Sequence, residues 1–531
     1  MDYELLQSLV SRRSVLRGMG VSTLGLAGAA LLGCATDEDK VTGTGSKSGT
    51  PGSTGTAPAA ASATAAATAT AAADSLKPLK VSPDNGPVGT QITITGEGLP
   101  SGQAVELLWA TKDGSFVMKA NSDTVEYYDR VFKDTRASLA KSTVGADGRF
   151  SVSAAIPEDY GETHDIFAVV AGSDVARGGF SVVRQVTVSS ESGPIGAPIE
   201  ITVKGLGWGP FANTMGVLWD NHYVGFLSAV TTRGTAVARI RAAGTPGPHE
   251  LRVTDASAAV PYLNAEQSPR KLPQFRFNYR VTADQGPPAA SLEWPDETRV
   301  AKPTTRTTAA AQPPAGGGQA SFSPASGPIL SKSTLKASGL PASVPVDLVW
   351  VSVKGNRVSP SGWNLVDAPI GKGTTGADGS LITNVDIPDD LGGWHVVRVI
   401  QGEKVLAEAP YYVERSIAAI TPAKVKVGEP FKVQVKGIGW TEFDNGVAIT
   451  YDNAFMGYAC GFNSQGDITL NLVASGAPGT HLIDLYPMLF LGHGKAPWDY
   501  SIPFLAFARD YPGLSLGYRI PTYRMAIEVV A

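Results

Sequence analysis

The sequence predicts an all-β chain of tandem β-sandwiches, and three observations carry that prediction. Glycine and proline are abundant, at 60 and 37 residues, while charged residues reach only 17%. That balance suits short strands joined by tight turns better than helix bundles. Apolar and polar residues alternate in short runs, as at Ile92 and Ile94, at Val105, Leu107 and Trp109, and at Ile199, Ile201 and Val203, the period-two signature of half-buried strands. The third observation is repetition: residues 196–255 recur 232 positions later at 428–487 without a gap, and 18 of the 60 positions are identical. The identities include Lys204/Lys436, Gly205/Gly437, Gly207/Gly439, Trp208/Trp440, Asp220/Asp452, Asn221/Asn453 and His249/His481, which marks an internal duplication rather than shared composition.

A chain of 531 residues is several times the usual domain length, and each domain is long enough to bury a core. Lys+Arg number 44 against Asp+Glu 48, with no sustained basic run, so the chain offers no positive field to concentrate nucleic acid, and nucleic acid is not expected as a partner. Only Cys34 and Cys460 occur, which excludes a disulfide framework. Cys460 faces Ser228 in the aligned copies and is expected to be a buried apolar thiol.

Taken in order, residues 1–34 read as an address. Ser11-Arg12-Arg13-Ser14-Val15-Leu16-Arg17 resembles a twin-arginine export motif, and the weakly apolar run from Gly18 to Leu32 is too short for a spanning helix. Leu31-Leu32-Gly33-Cys34 resembles a lipobox. These resemblances imply that Arg12 and Arg13 direct export in the folded state and that Cys34 is lipidated and becomes the new N-terminus. The expected partner is then a membrane, reached through acyl chains that contribute about 0.8 kcal/mol per buried methylene. The expected location is extracytoplasmic, on the cell membrane or the outer membrane. Residues 35–78 are mostly Gly, Ser, Thr and Ala and read as a low-complexity stalk, with a root-mean-square span of roughly 35 Å.

Residues 79–186 form the first expected domain. Its opening, Val81-Ser-Pro-Asp-Asn-Gly-Pro-Val-Gly-Thr-Gln-Ile-Thr-Ile-Thr-Gly-Glu-Gly-Leu99, is a turn cluster followed by strict alternation. This block resembles the start of IPT/TIG domains, which implies an immunoglobulin-like sandwich and a binding, spacing or adhesion role. Residues 320–415 repeat its landmarks: Ser323-Pro324, Gly327-Pro328, Val346 to Trp350 and Gly376-Ala-Asp-Gly379 match Ser82-Pro83, Gly86-Pro87, Val105 to Trp109 and Gly145 to Gly148. The first copy carries about ten extra residues within Thr111 to Val144, read as a long and functional loop. Residues 187–282 and 416–531 hold the gapless duplication. The whole thus reads as four immunoglobulin-like sandwiches in the order A-B-A′-B′.

Residues 283–319, rich in Pro, Ala, Thr and Gly, read as a linker between flexibly joined halves, although Leu292-Glu-Trp294 is placed to dock on a neighbour. Residues 488–531 depart from the second domain and are aromatic-rich. They are read as a cap on a sheet edge, with an aromatic binding surface as the alternative.

The search for chemistry finds little. His164, His249, His395 and His481 each precede an alternating strand, and their recurrence in all four units argues for a shared strand-entry role. No His-x-x-x-His, Cys-x-x-Cys, nucleophile elbow or phosphate loop is present, so no metal, cofactor or enzymatic activity is expected. Asp220-Asn221 and Asp452-Asn453 read as hairpin turns, with calcium or sugar binding as the alternative. Trp109/Trp350 and Trp208/Trp440 read as core between sheets. Trp363, Trp394 and Trp498 have no aligned tryptophan and are the candidates for exposed stacking surfaces, with Trp363 and Trp498 as the candidate ligand-binding residues. The expected function is a membrane-anchored binding, adhesion or spacer protein for a protein or glycan ligand. The alternative is an accessory or carbohydrate-binding component of an exported enzyme system.

Overall fold

The computed structural model describes residues 76–120, 125–209, 212–257, 259–268, 272–295, 317–355, 363–461, 465–489 and 501–531. Arg12, Arg13, Cys34, the stalk and Trp498 lie outside the described residues, as does most of the linker. Among the described residues the chain is almost entirely strand; one short helical turn, Phe507–Asp510, runs into the 3-10 turn Pro512–Leu516.

The strands fall into four sets in chain order. In the first, Val125–Thr143, Ala104–Ala120, Glu162–Val170 and Ser173–Val182 form one sheet and Gln91–Gly96 pairs with Phe150–Ala155 in the other. Lys77–Ser82 crosses between them, pairing parallel to Ala176–Arg177 and then antiparallel to Thr93–Gly96. In the second set, Gln274–Val281, Gly247–Ser257, Thr214–Trp219 and His222–Ser228 face Ala236–Arg241, Pro198–Lys204 and Gln185–Val188. The third opposes Lys404–Glu414, Gly393–Gln401, Pro345–Gly355 and Trp363–Thr374 to Gln319–Ser323, Lys332–Ser338 and Leu381–Asp386. The fourth opposes Thr522–Val530, Gly479–Tyr486, Gly446–Tyr451 and Ala454–Cys460 to Ser416–Thr421, Pro430–Lys436 and Ile468–Val473.

One detail recurs in every set: a short strand near its start runs parallel to its last strand, as Asn85–Gly86 on Ser181–Val182, Ser192–Gly193 on Arg280–Val281, Ser326–Pro328 on Tyr412–Glu414 and Lys424–Lys426 on Glu528–Val530. A first strand split between two otherwise antiparallel sheets is the immunoglobulin-like arrangement. The alternation read from the sequence points inward, with Ile92 and Ile94, Ile199, Ile201 and Val203, and Val433 and Val435 at 1% exposure or less. Burying such side chains contributes about 1.5–3 kcal/mol each.

Three expectations are corrected. The Thr111 to Val144 insertion is not a loop: Ala104–Ala120 and Val125–Thr143 form one long hairpin, in register from Ala104/Thr143 to Ala120/Val125. It leaves its own sandwich and lies on the second, where Gly114 meets the Val230 carbonyl so closely that a Cβ would sit 2.1 Å from it. Tyr127, 3% exposed, donates its backbone N–H to Glu442 of the fourth set at 2.8 Å.

Secondly, the halves are not flexibly joined. Ser291–Glu293 adds an edge strand to the last sheet, Leu292 opposite Tyr523, which realises the docking expected of Leu292-Glu-Trp294. A single apolar cluster contains Ile201, Trp219 and Phe226 of the second set with Leu482, Tyr486 and Ala526 of the fourth. At its margin Asp484, 1% exposed, accepts from Arg241 at 2.5 Å and from Arg524 at 3.1 Å.

Thirdly, residues 488–531 are not a cap alone, because they include Thr522–Val530, the last strand of the fourth sandwich. The aromatic stretch is the connection leading into it. Its residues 503–505 lie along the edge strand His222–Ser228 of the second sandwich: Phe226 donates its N–H to the Pro503 carbonyl at 3.0 Å, and Leu505 donates to the Phe226 carbonyl at 2.8 Å. Phe504, Tyr511 and Tyr518 are buried, which is the edge-capping role, exerted on the other copy.

Candidate functional site

The recurring histidines build one unit four times. Nε2 lies 2.8, 2.8, 2.7 and 2.8 Å from the carbonyl oxygen four residues earlier in His164, His249, His395 and His481 respectively. Each ring stacks on an aromatic side chain, at 4.3 Å on Trp109, 5.4 Å on Trp219, 4.5 Å on Trp350 and 5.4 Å on Tyr451. The remaining nitrogen separates the two kinds of sandwich. In the first and third it faces the carbonyls of Ala110 and Val351, at 2.8 and 3.0 Å. In the second and fourth it faces a carboxylate, Asp220 or Asp452, both at 2.5 Å.

These His-Asp pairs have the look of a catalytic dyad but not its chemistry. Nε2, the nitrogen that would take a proton, already faces the carbonyl of Thr245 or Ala477, so no lone pair is presented to a substrate. Burial by itself would lower the His481 value; the bond and charge of Asp452, the Ala477 carbonyl and the Asp284 carboxylate outweigh it and raise the net value above 6.5. Asp220 and Asn221 have φ of 48° and 66°, Asp452 and Asn453 48° and 65°, the left-handed pair of a type I′ hairpin turn that Asn and Asp tolerate. The second carboxylate oxygen accepts a backbone N–H, from Glu250 at 2.9 Å and from Leu482 at 2.8 Å. Both acids are therefore turn and strand-entry residues.

The tryptophans divide differently from the expectation. Trp109 and Trp350 fill the cores, and each donates Nε1 to a buried acid, Asp159 at 2.7 Å and Asp390 at 2.8 Å. Those aspartates were legible only as a second duplicated pair. Trp208 and Trp440 instead pack between consecutive sandwiches, Trp208 edge-on to His164 at 4.9 Å and Trp440 against Trp363 at 5.9 Å. Trp363 is thus half-buried in a small apolar cluster with Val353 and Leu391 and not an exposed stacking face. Trp394 likewise packs on Tyr412 at 5.1 Å, and Cys460 is half-buried rather than buried.

The remaining candidate, Asn221, leads outward. It is exposed, and its Oδ1 accepts from Arg252 Nη2 at 2.7 Å. Arg252 is one wall of a groove of about 380 Å³ on the outer face of the second sandwich, lined also by Thr254, Tyr262, Asn264, Glu266, Gln274 and Arg276. The strands Gly247–Ser257 and Gln274–Val281 set Arg252 opposite Arg276 and Thr254 opposite Gln274, and the connection between those strands supplies Tyr262 and the exposed Leu263. Sequence reading missed this groove because Arg252 and Thr254 align with the unlike Asp484 and Tyr486, and its other residues follow the end of the duplicated block and have no second copy to align with. Among the described residues, no group of three or more His, Cys, Asp or Glu side chains could hold a metal ion, and no helix is long and apolar enough to cross a membrane.

No family model and no curated protein matches the chain. Among solved structures it is similar to Salmonella alpha-2-macroglobulin, at 10% identity and a TM-score of 0.16, with 84% of this chain covered. The match spans only 30% of that longer chain. It is also similar to invasin, described as a bacterial integrin-binding protein, at 14% identity over 84% of this chain and 78% of that one, TM-score 0.18. The Escherichia coli adhesin FdeC matches at 13% identity over 63% of this chain and 96% of its own, TM-score 0.14. Scores this low carry no argument about activity.

Proposed function

We propose that the protein is a membrane-anchored extracytoplasmic binding protein whose docked sandwiches hold a ligand surface away from the lipid. The observation that supports this reading most is the single apolar cluster uniting the second and fourth sandwiches. It makes a stiff platform rather than beads on a string, and it leaves the groove beside Asn221 facing outward. The four strand-entry histidines and the aspartates Asp220 and Asp452 are taken up by strand entries and turns. Arg12, Arg13 and Cys34 supply the address and the anchor.

Localisation tests the reading. Replacing Arg12 and Arg13 together by Lys should leave the protein in the cytoplasm, and Cys34→Ser should move it from the membrane to the soluble extracytoplasmic fraction with loss of acyl labelling. A wild-type protein that stays cytoplasmic and carries no acyl chain would overturn it.

A further inference from the structure

We infer that the groove on the second sandwich binds a neutral oligosaccharide. This deepens the binding reading above and rests on it.

The size fits a small ligand, since pockets that enclose one run to about 300–1,000 Å³ and this groove holds about 380 Å³. One wall is held in place. Arg252 Nε donates to Glu250 Oε1 at 2.8 Å and its Nη2 to Asn221 Oδ1 at 2.7 Å, so the guanidinium is oriented before any ligand arrives. Preorganised polar groups of this kind cost little entropy on binding.

Charge decides the ligand class. Arg252 and Arg276 stand directly opposite each other, which by itself is repulsive and would invite an anion. Glu250, however, reaches both, at 2.6 Å from Arg252 and 3.6 Å from Arg276, and Glu266 faces the same groove. Among the described residues, the two arginines are matched by two glutamates, which leaves no net field to select a carboxylate or sulfate ligand.

What remains is a surface that both donates and accepts. The amides of Asn264 and Gln274 each carry two donors and an acceptor, Glu266 only accepts, and Arg276 only donates. Sugar hydroxyls need both kinds of partner side by side. The Tyr262 ring, 41% exposed, offers an apolar face of the kind that packs against the C–H face of a pyranose. A protein-binding hot spot, by contrast, centres on a well-packed apolar or aromatic core that excludes water, and Tyr262 and the 76% exposed Leu263, set among amides and charged groups, do not make one.

The test uses the purified full-length chain in detergent micelles on an array of neutral, sialylated and sulfated glycans, at low and high salt. Neutral glycans should be retained at both salt concentrations. Tyr262→Ala should weaken that binding at least tenfold and Gln274→Ala severalfold, with unchanged thermal unfolding, because both side chains are exposed. Retention of charged glycans only, lost at high salt, would overturn the neutral class. Retention of neutral glycans undiminished by both substitutions would overturn the site. No glycan bound by a chain that does reach the extracytoplasmic membrane fraction would overturn this inference and leave the anchored-protein reading standing. Failure of that localisation would overturn both.

Discussion

In the second sandwich Asn221 stands at the surface and accepts a hydrogen bond from Arg252; in the fourth, Asn453 is 2% exposed and donates its amide to the Arg241 carbonyl of the other copy at 2.7 Å. Gly225 and Gly457 differ in the opposite sense. A Cβ on Gly225 would meet the Pro503 carbonyl at 2.7 Å, whereas one on Gly457 would meet nothing within 4 Å. The edge strand of the second sandwich is covered by the connection from the fourth, while Met456 and Tyr458 on the corresponding strand of the fourth remain exposed, at 54% and 51%. Duplication therefore preserved what the fold needs locally, the left-handed turn, the stacked ring and the histidine on its carbonyl. The outward-facing residues diverged: the turn asparagine of the fourth copy joined an interface, while that of the second flanks a groove beside an edge strand that the fourth copy covers.

The largest effect should come from breaking the seam between the copies. Asp484→Ala leaves Arg241 and Arg524 buried without their shared carboxylate, a loss of about 3–5 kcal/mol for a buried ion pair deprived of one partner. The denaturation midpoint should fall sharply and the second and fourth sandwiches should then unfold in separate steps; a single unshifted transition would refute the shared core. A smaller effect separates the turns. Asn221→Ala and Asn453→Ala both replace a residue that tolerates the left-handed region with one that lacks the polar side chain that eases it, at a cost of about 1 kcal/mol, and Asn453→Ala loses a buried hydrogen bond worth about 1 kcal/mol more. Equal destabilisation of the two variants would erase the distinction drawn between them.

The smallest effect is a pH dependence in the fourth sandwich. Because the folded-state value of His481 is raised, its pairing with Asp452 and Asp284 contributes fully below the unfolded value of about 6.5. That contribution is lost as pH rises through the higher folded value. His481→Gln should therefore destabilise more at about pH 5 than at about pH 9, as read by thermal unfolding at each pH. The same cost at both would show that the ring acts by packing on Tyr451 alone.

Strand entries, turns and core alternation were legible because each depends on residues close in sequence. Ile92 and Ile94 announce their burial by period, and Asp220-Asn221 announce their turn by type. The strand-entry role of the four histidines was legible for the same reason, since the carbonyl each one faces is four residues away. What stayed hidden depends on distant partners. Nothing around Phe504 indicates that its edge is Phe226, nor does the alternation within Thr111 to Val144 distinguish a long hairpin from a loop. Trp363 looked exposed because it lacked a copy, yet absence from an alignment says nothing about what packs on a side chain. The groove escaped because identity between the copies was the guide, and the groove is built from residues that the copies do not share.

The seam also changes what the join between the halves has to do. Residues 296–316 are the covalent link between 295 and 317, but the edge strand Ser291–Glu293 is already hydrogen-bonded to Thr522–Val530, and Pro503–Leu505 already grips the second sandwich. A protease that cut the chain between 296 and 316 would leave two fragments that still travel together, one carrying the groove and the other bound to it as a tightly fitted subunit.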